Sequence, residues 1–159
     1  MRRWRGSLAL ALAAASVPAD ARDALGIYDR WAAFRDLSPR HCYAVARPVR
    51  GGGAAFASLN DWPRQGVRAQ LHVRLSRVRN PRARVTLSIG ERRFELVAGA
   101  ADAWASDART DAAIVAAIRS GRAMSIETLA RSGGAFADVY SLRGAATAID
   151  AAALGCLTQ

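Results

Sequence analysis

The chain has 159 residues and a formal net charge of +10, and 37 of its residues are alanine. This length fits a single domain. Leu, Ile, Val and Phe together number only 34, which is close to the lower limit for a chain that folds. A core of this size argues against a large enzyme with a deep cofactor cleft and against a protein with several membrane spans.

Residues 1–21 have the pattern of a secretory signal peptide. Three arginines precede an apolar run from Leu8 to Val17, and small residues follow at Ala19 and Ala21. The run is too short to cross a bilayer as a permanent helix, whereas this order of segments is typical of an export signal. We expect cleavage after Ala21 of the Ala19–Ala21 site, which leaves one exported domain, residues 22–159, without a transmembrane segment. The alternative is an uncleaved anchor.

The middle of the chain predicts strands joined by turns. The segment from His41 to Val49 and the shorter one from Ala54 to Leu59 are typical of strands, and Asn60–Pro63 is typical of a turn. Apolar and polar residues then alternate along Val67–Val78, Ala83–Ile89 and Arg92–Val97. This period of two predicts a three-stranded antiparallel meander. Its buried face comprises Leu71, Val73, Leu75, Val85, Leu87 and Ile89.

Two helices are predicted nearer the C-terminus. In Asp111–Ser120, Ile114 and Ile118 fall on one apolar stripe, with Thr110 as the expected N-cap and Gly121 as the stop. The second helix covers Ala145–Leu154 and is expected to end at Gly155. Strands at Met124–Ala130 and Ala137–Leu142 complete the pattern. It predicts a mainly β fold, an antiparallel β-sandwich with two short helices.

The only two cysteines, Cys42 and Cys156, are predicted to form a disulfide. An isolated pair of cysteines in an exported chain most simply pairs. Two free, buried thiols are the alternative. A catalytic thiol that uses His41 is disfavoured, because adjacent residues on a strand point to opposite faces.

Positive charge is concentrated on the predicted meander. Nine arginines and one acidic residue lie between Arg64 and Arg93, whereas the chain from Ala98 onward has five arginines and six acidic residues. A face of this charge attracts polyanions. Because the chain is exported, we expect an anionic envelope or host-surface component rather than nucleic acid. Coding bias toward arginine is the alternative explanation. The residues predicted to bind are Arg68, Arg74, Arg82, Arg84 and Arg93.

Conventional catalytic and metal-binding patterns are absent from the sequence. There is no phosphate-binding glycine loop and no cluster of metal ligands, so no cofactor or metal is expected. Ser141, His72 and Asp138 supply the residue types of a hydrolytic triad, but a chain of this size offers such a trio by chance. We therefore predict that the protein is not an enzyme.

The C-terminal segment resembles the invasion-associated locus B family. The resemblance rests on an acidic residue, an aromatic residue, Ser-Leu and a glycine, followed by an Ala-rich helix that ends in cysteine. These positions are Asp138, Tyr140, Ser141, Leu142 and Gly144, with Cys156 at the end. The order of Trp31, Cys42-Tyr43 and Ala103-Trp104 is similar as well. Ala145 departs from the pattern, which usually has Phe after the glycine.

The resemblance implies an exported protein of Gram-negative bacteria, periplasmic, outer-membrane associated or extracellular, with a disulfide and no known catalytic residues. The family takes its name from host-cell invasion. Three hypotheses follow. The first is a non-catalytic envelope protein that binds a partner or an anionic surface. The second is a structural or stress-related periplasmic protein without an anionic ligand, and the least favoured is a small periplasmic hydrolase.

Overall fold

The structure, a computed structural model, describes residues 22–157. The predicted signal peptide, residues 1–21, lies outside the described residues, so its cleavage stays a prediction. None of the helices within residues 22–157 has the length and apolar character needed to cross a membrane.

Ten strands and two α-helices make up the described chain. The strands are β1 Arg22–Tyr28, β2 Trp31–Leu37, β3 Arg40–Ala46, β4 Phe56–Trp62, β5 Val67–Arg74, β6 Val85–Ile89, β7 Arg92–Ala98, β8 Asp102–Trp104, β9 Ala123–Leu129 and β10 Ala135–Ser141. The helices are α1 Ala108–Ser120 and α2 Ala145–Leu157, and a short 3-10 helix covers Pro63–Gln65.

The strands form one antiparallel sheet in the order β1-β2-β3-β4-β5-β8-β7-β6-β9-β10. Strand β7 joins two halves, because its residues 92–96 pair with β6 and its last two residues pair with β8. The halves face each other across a shared core, and the Trp31 indole of β2 donates a hydrogen bond to the Ser141 carbonyl of β10 at 2.8 Å. The predicted mainly β sandwich with two helices is confirmed.

The predicted three-stranded meander is wrong in one strand pairing, that of β5 with β6. Strands β6 and β7 form the expected hairpin, but β5 lies between β4 and β8 and does not pair with β6. Residues 75–84 instead cross from one half of the sandwich to the other. The Arg79 guanidinium holds this crossing by donating to the carbonyls of Asn80, Pro81, Ala83, Ala98 and Gly99. Alternation predicts which face of a strand is buried, not which strand lies beside it.

The predicted buried face is confirmed. All six predicted apolar side chains are buried, five of them on β5 and β6 and the sixth at the adjoining Leu75. Ile114 and Ile118 of α1 pack into the same core. Complete burial of a side chain of this size contributes about 1.5–3 kcal/mol. The core thus joins both halves of the sheet to α1.

Both helices differ from the prediction at one end. Helix α1 begins three residues early, because the Asp107 carboxylate, not Thr110, is the N-cap and accepts a hydrogen bond from the Thr110 amide at 2.8 Å. Helix α2 continues through Gly155 to Leu157. Gly155 does not stop the helix. Its missing side chain instead makes room for Leu25 of β1, which a Cβ at this position would strike.

The predicted turn at Asn60–Pro63 is wrong, because β4 runs on to Trp62. Pairing with β5 shifts register between Asn60 and Trp62, where β5 has a bulge at Ala69 with a φ of 45°. Two buried carboxylates satisfy backbone amides there: Asp61 accepts from Ala69 at 3.0 Å and Asp111 accepts from Leu71 at 2.8 Å. Burial raises the pKa of both carboxyl groups. Tertiary hydrogen bonds therefore override a local turn signal.

Candidate binding surfaces

The five arginines predicted to bind polyanions do not form one face. Thr86 of β6 pairs with both Glu95 and Glu127, so these glutamates share the outer face that carries Arg84 and Arg93. Arg84 forms an ion pair with Glu95 at 3.2 Å. The outer face of the hairpin is therefore close to neutral, and Arg82 lies in the loop that precedes it.

The two arginines on β5 point to opposite sides of the sheet. Arg74 lies on the outer face and forms an ion pair with Asp102 of β8 at 2.9 Å. Arg68 precedes the bulge at Ala69, which interrupts the alternation, and it lines a cleft against α1 together with Val115 and Arg119. A bulge of this kind changes the direction of side chains before it.

An aromatic cluster that the sequence did not predict surrounds His72. This histidine contacts Asp102 at 2.9 Å through Nε2, stacks on the Trp104 ring at 5.2 Å and meets the edge of Phe56 at 5.2 Å. The strand pairing puts all four side chains on the outer face of β4, β5 and β8. Because these residues are spread from position 56 to 104, no local pattern brings them together.

A second cluster on the same outer face surrounds His41. Its ring stacks between Trp62 at 3.7 Å and Tyr43 at 4.8 Å. The Asn60 amide nitrogen donates to Ser58 Oγ and to the Gln70 carbonyl, which leaves its oxygen to accept from His41 Nε2 at 3.1 Å. The other ring nitrogen lies 3.6 Å from the Asp36 carboxylate. This histidine is therefore held rigidly by rings and acceptors.

The residues of the C-terminal motif build the fold. Asp138 and Tyr140 are fully buried on β10, and one Asp138 oxygen accepts from the Ser76 amide at 2.8 Å. The other Asp138 oxygen and the Tyr140 hydroxyl have no hydrogen-bond partner among the described residues. Burial is the main cause that raises the pKa of Tyr140. The Ser141 carbonyl accepts from Trp31, and Leu142 is buried.

The structure does not bring together the trio of Ser141, His72 and Asp138 that the least favoured hydrolase hypothesis would need. His72 lies on the outer face with Asp102, whereas Asp138 points into the core toward Ser76. Ser141 accepts from the Arg143 amide through its hydroxyl and has no contact with either residue. Among residues 22–157, no group of three His, Cys, Asp or Glu side chains is placed to hold a metal ion.

The predicted disulfide is present. Cys42 of β3 and Cys156 of α2 are bonded, and neither is free. The bond joins the inner face of the first half of the sheet to the helix that covers it. The alternative of two free thiols is therefore wrong.

Comparison with known proteins gives one informative match. No protein-family model matches the chain, and no curated protein matches it significantly. Among solved structures, the chain is similar to the crystal structure of invasion associated protein B from Bartonella henselae, with a TM-score of 0.62 and 18% sequence identity. The match covers 82% of this chain and 96% of that chain. This chain therefore has the fold of invasion associated protein B, in agreement with the resemblance of its C-terminal motif.

Proposed function

We propose that this protein is an exported, non-catalytic envelope protein of the invasion-associated locus B type, which acts by binding an anionic partner. The fold match over nearly all of invasion associated protein B supports the family. The disulfide supports an oxidising compartment, the periplasm, the outer membrane or the exterior. A contribution to host-cell interaction would follow from the family name and is part of the proposal.

The proposal of an anionic partner rests on an excess of arginines, because most acidic side chains are already engaged in hydrogen bonds or ion pairs. The described residues contain 20 arginines and 12 acidic residues. Four of these carboxylates accept from backbone amides, namely Asp61, Asp107, Asp111 and Asp138. Six more form ion pairs with arginine, namely Asp23, Asp29, Asp36, Asp102, Asp150 and Glu95. Most acidic side chains are thus engaged, and a surplus of exposed guanidinium groups faces solvent.

Guanidinium groups suit phosphate and sulfate because their planar donors match two oxygens at once. A soluble domain does not need such a surplus for its fold, since isolated surface charges contribute little to stability. The surplus therefore favours binding over a purely structural role. The structural or stress-related protein without an anionic ligand is the competing function.

Retention on immobilised heparin and lipopolysaccharide at rising salt tests this proposal. We expect the chain 22–159 to be retained at moderate salt and to elute earlier as salt screens its charges. Absence of retention would favour the structural alternative.

Two variants of equal charge test the predicted arginines. The first replaces the five predicted residues by glutamine, and the second replaces five exposed arginines elsewhere, Arg30, Arg64, Arg109, Arg122 and Arg143. Earlier elution of the first variant alone would support the predicted set. Equal elution of the two would exclude it as the site.

A further inference from the structure

Three loops meet at one end of the sandwich, and together they form what we term the basic loop end. They comprise residues 47–55, 75–84 and 130–134. The Arg131 amide donates to the Val78 carbonyl at 2.9 Å, and the Asn80 amide donates to the Leu129 carbonyl at 2.8 Å. The Val49 amide donates to the Val139 carbonyl of β10 at 2.7 Å, and Asp138 of the same strand accepts from the Ser76 amide at 2.8 Å. Segments far apart in sequence are therefore joined into one surface.

The basic loop end carries seven arginines and no acidic residue. Arg79 is used internally on backbone carbonyls, and Arg84 forms its ion pair with Glu95. The remaining five are exposed, and none forms an ion pair with an acidic side chain of the described residues. These five are Arg47, Arg50, Arg77, Arg82 and Arg131.

Besides Glu95, two carboxylates lie beside this surface without neutralising it. Asp138 is fully buried and accepts from the Ser76 amide. Glu127 is exposed on β9 and accepts from the Ser125 hydroxyl at 2.9 Å. The five exposed arginines thus outnumber the two exposed carboxylates at its edge, Glu127 and Glu95, and Glu95 is already paired with Arg84.

Apolar side chains are exposed among these cations. Val49, Val78 and Leu129 are 54%, 45% and 42% exposed. The Arg77 guanidinium lies 5.7 Å above the ring of Phe136, and a shallow apolar groove between Ala83, Leu129 and Phe136 opens beside it. The antiparallel bridge between Arg79 and Ala130 places Val78 and Leu129 on one face, beside Arg131. Contiguous apolar side chains rimmed by polar groups mark interaction sites.

We infer that the basic loop end docks on an anionic lipid bilayer. This inference rests on the proposed function, since it names the anionic partner and its site. Arginines of the loops bind lipid phosphates, while Val78 and Leu129 enter the boundary between headgroups and acyl chains. Peripheral proteins combine these two contributions, apolar burial and electrostatic attraction. A sulfated glycan has the same charge but leaves the exposed aliphatic side chains in water, so the lipid surface fits better.

Co-sedimentation of the chain 22–159 with vesicles tests the inference. The vesicles contain phosphatidylglycerol and phosphatidylcholine at 3:7, with pure phosphatidylcholine as the uncharged reference. We expect binding to the anionic vesicles only, weakening as salt rises. Arg77→Gln with Arg131→Gln should weaken it by roughly 25-fold, since each basic residue near such a surface contributes about fivefold.

Matched variants separate the site from net charge and from general hydrophobicity. Arg109→Gln with Arg122→Gln removes the same charge from exposed positions away from the loop end and should change binding less than about twofold. Val78→Ser with Leu129→Ser should weaken vesicle binding and leave heparin retention unchanged. Val97→Ser with Leu154→Ser is the control for this apolar variant, since both residues lie outside the loop end and are 59% and 62% exposed. Melting temperatures verify that each variant is folded.

Each outcome decides one statement. Equal losses in the two arginine variants would overturn the loop end as the site. Unchanged vesicle binding after Val78→Ser with Leu129→Ser would overturn the insertion of these side chains, and with it the reason for preferring a lipid surface over a glycan. Retention on heparin without binding to anionic vesicles would overturn this inference and keep the proposed function. Failure of the wild type on heparin, lipopolysaccharide and vesicles alike would overturn both.

Discussion

At the scale of single residues, the surroundings of Gly144 explain why the C-terminal motif has a glycine at this position. Its φ of +81° lies in the left-handed region, and a Cβ at this position would collide with the carbonyl of Tyr28. The connection from β10 to α2 crosses the β1–β2 turn at this point. A side chain would therefore force apart the two segments that start and close the domain.

We predict that Gly144→Ala destabilises the fold. The left-handed conformation alone costs a non-glycine residue about 1–3 kcal/mol, and the collision with Tyr28 adds to it. The melting temperature should fall by several degrees, at about 2–4 °C per kcal/mol for a domain of this size. Gly134→Ala is the control, because a Cβ there meets open space. A similar melting temperature for the two variants would contradict this explanation.

Asp61 links stability to pH. Its pKa is raised above its ordinary value chiefly by burial, although the Ala69 amide and the nearby Arg68 lower it. The folded state therefore holds the proton more firmly than the unfolded state, and protonation stabilises the fold. The contribution of Asp61 to the free energy of unfolding falls as pH rises from about 4 through the raised pKa.

We predict that Asp61→Asn removes this dependence. The melting temperature of the variant minus that of the wild type should become more positive as pH rises from 4 to 7. Asp150→Asn should show the opposite trend in a more acidic range, below about pH 5, because the Arg119 hydrogen bond lowers the pKa of Asp150 and its contribution is lost as pH falls through that lowered pKa. Thermal unfolding in matched buffers measures both, and parallel curves for Asp61→Asn and the wild type would count against burial as the cause.

At the scale of elements, the β6 strand shows how one alternating segment holds both halves of the sandwich. Its apolar residues face the core together with residues of α1. On its outer face, Thr86 pairs with Glu95 and Glu127, and Ser88 pairs with Arg93 and Ser125. Leu87 lies at the middle of this strand and is fully buried.

We predict that Leu87→Ala costs about 2–5 kcal/mol, the range for a buried leucine that leaves a cavity. Chemical denaturation measures the loss as a lower midpoint with an unchanged slope. Leu154→Ala is the matched control, because Leu154 is 62% exposed on α2 and alanine suits a helix. Equal midpoints for the two variants would be inconsistent with the core described above.

At the scale of the whole molecule, the disulfide joins the beginning of the domain to its end. Cys42 and Cys156 are 114 positions apart, and helix α2 packs its buried Ala148, Ile149 and Ala152 over the same part of the sheet. Cross-linking a loop this long lowers the entropy of the unfolded chain. In the chain-entropy model this raises the free energy of unfolding by about 4–5 kcal/mol.

We predict that Cys42→Ser lowers the melting temperature by several degrees without unfolding the protein at room temperature, because α2 keeps its apolar contacts. Reductant should lower the melting temperature of the wild type in the same way and leave that of Cys42→Ser with Cys156→Ser unchanged. Thiol titration of the denatured, unreduced wild type should detect no thiol. Two reactive thiols per chain would show that the bond does not form.

Local patterns in the sequence determined much of this architecture. Alternation along Leu71–Leu75 and Val85–Ile89 assigned the buried face correctly, because side chains of a strand alternate wherever it lies. Two isolated cysteines were enough to predict their bond. The motif that ends at Cys156 indicated the fold that the solved structure supports.

Only the tertiary structure decided which segments are neighbours. The position of β5 beside β8, the bulge that turns Arg68 toward α1, and the internal role of Arg79 all depend on contacts between residues far apart in sequence. The predicted binding face is not a single face for the same reason. The five arginines that alternation placed together lie on both sides of the sheet and in a loop. The arginines that do gather come from three separate loops. Periodicity acts within one strand, whereas a surface is made by the long-range packing that brings strands and loops together.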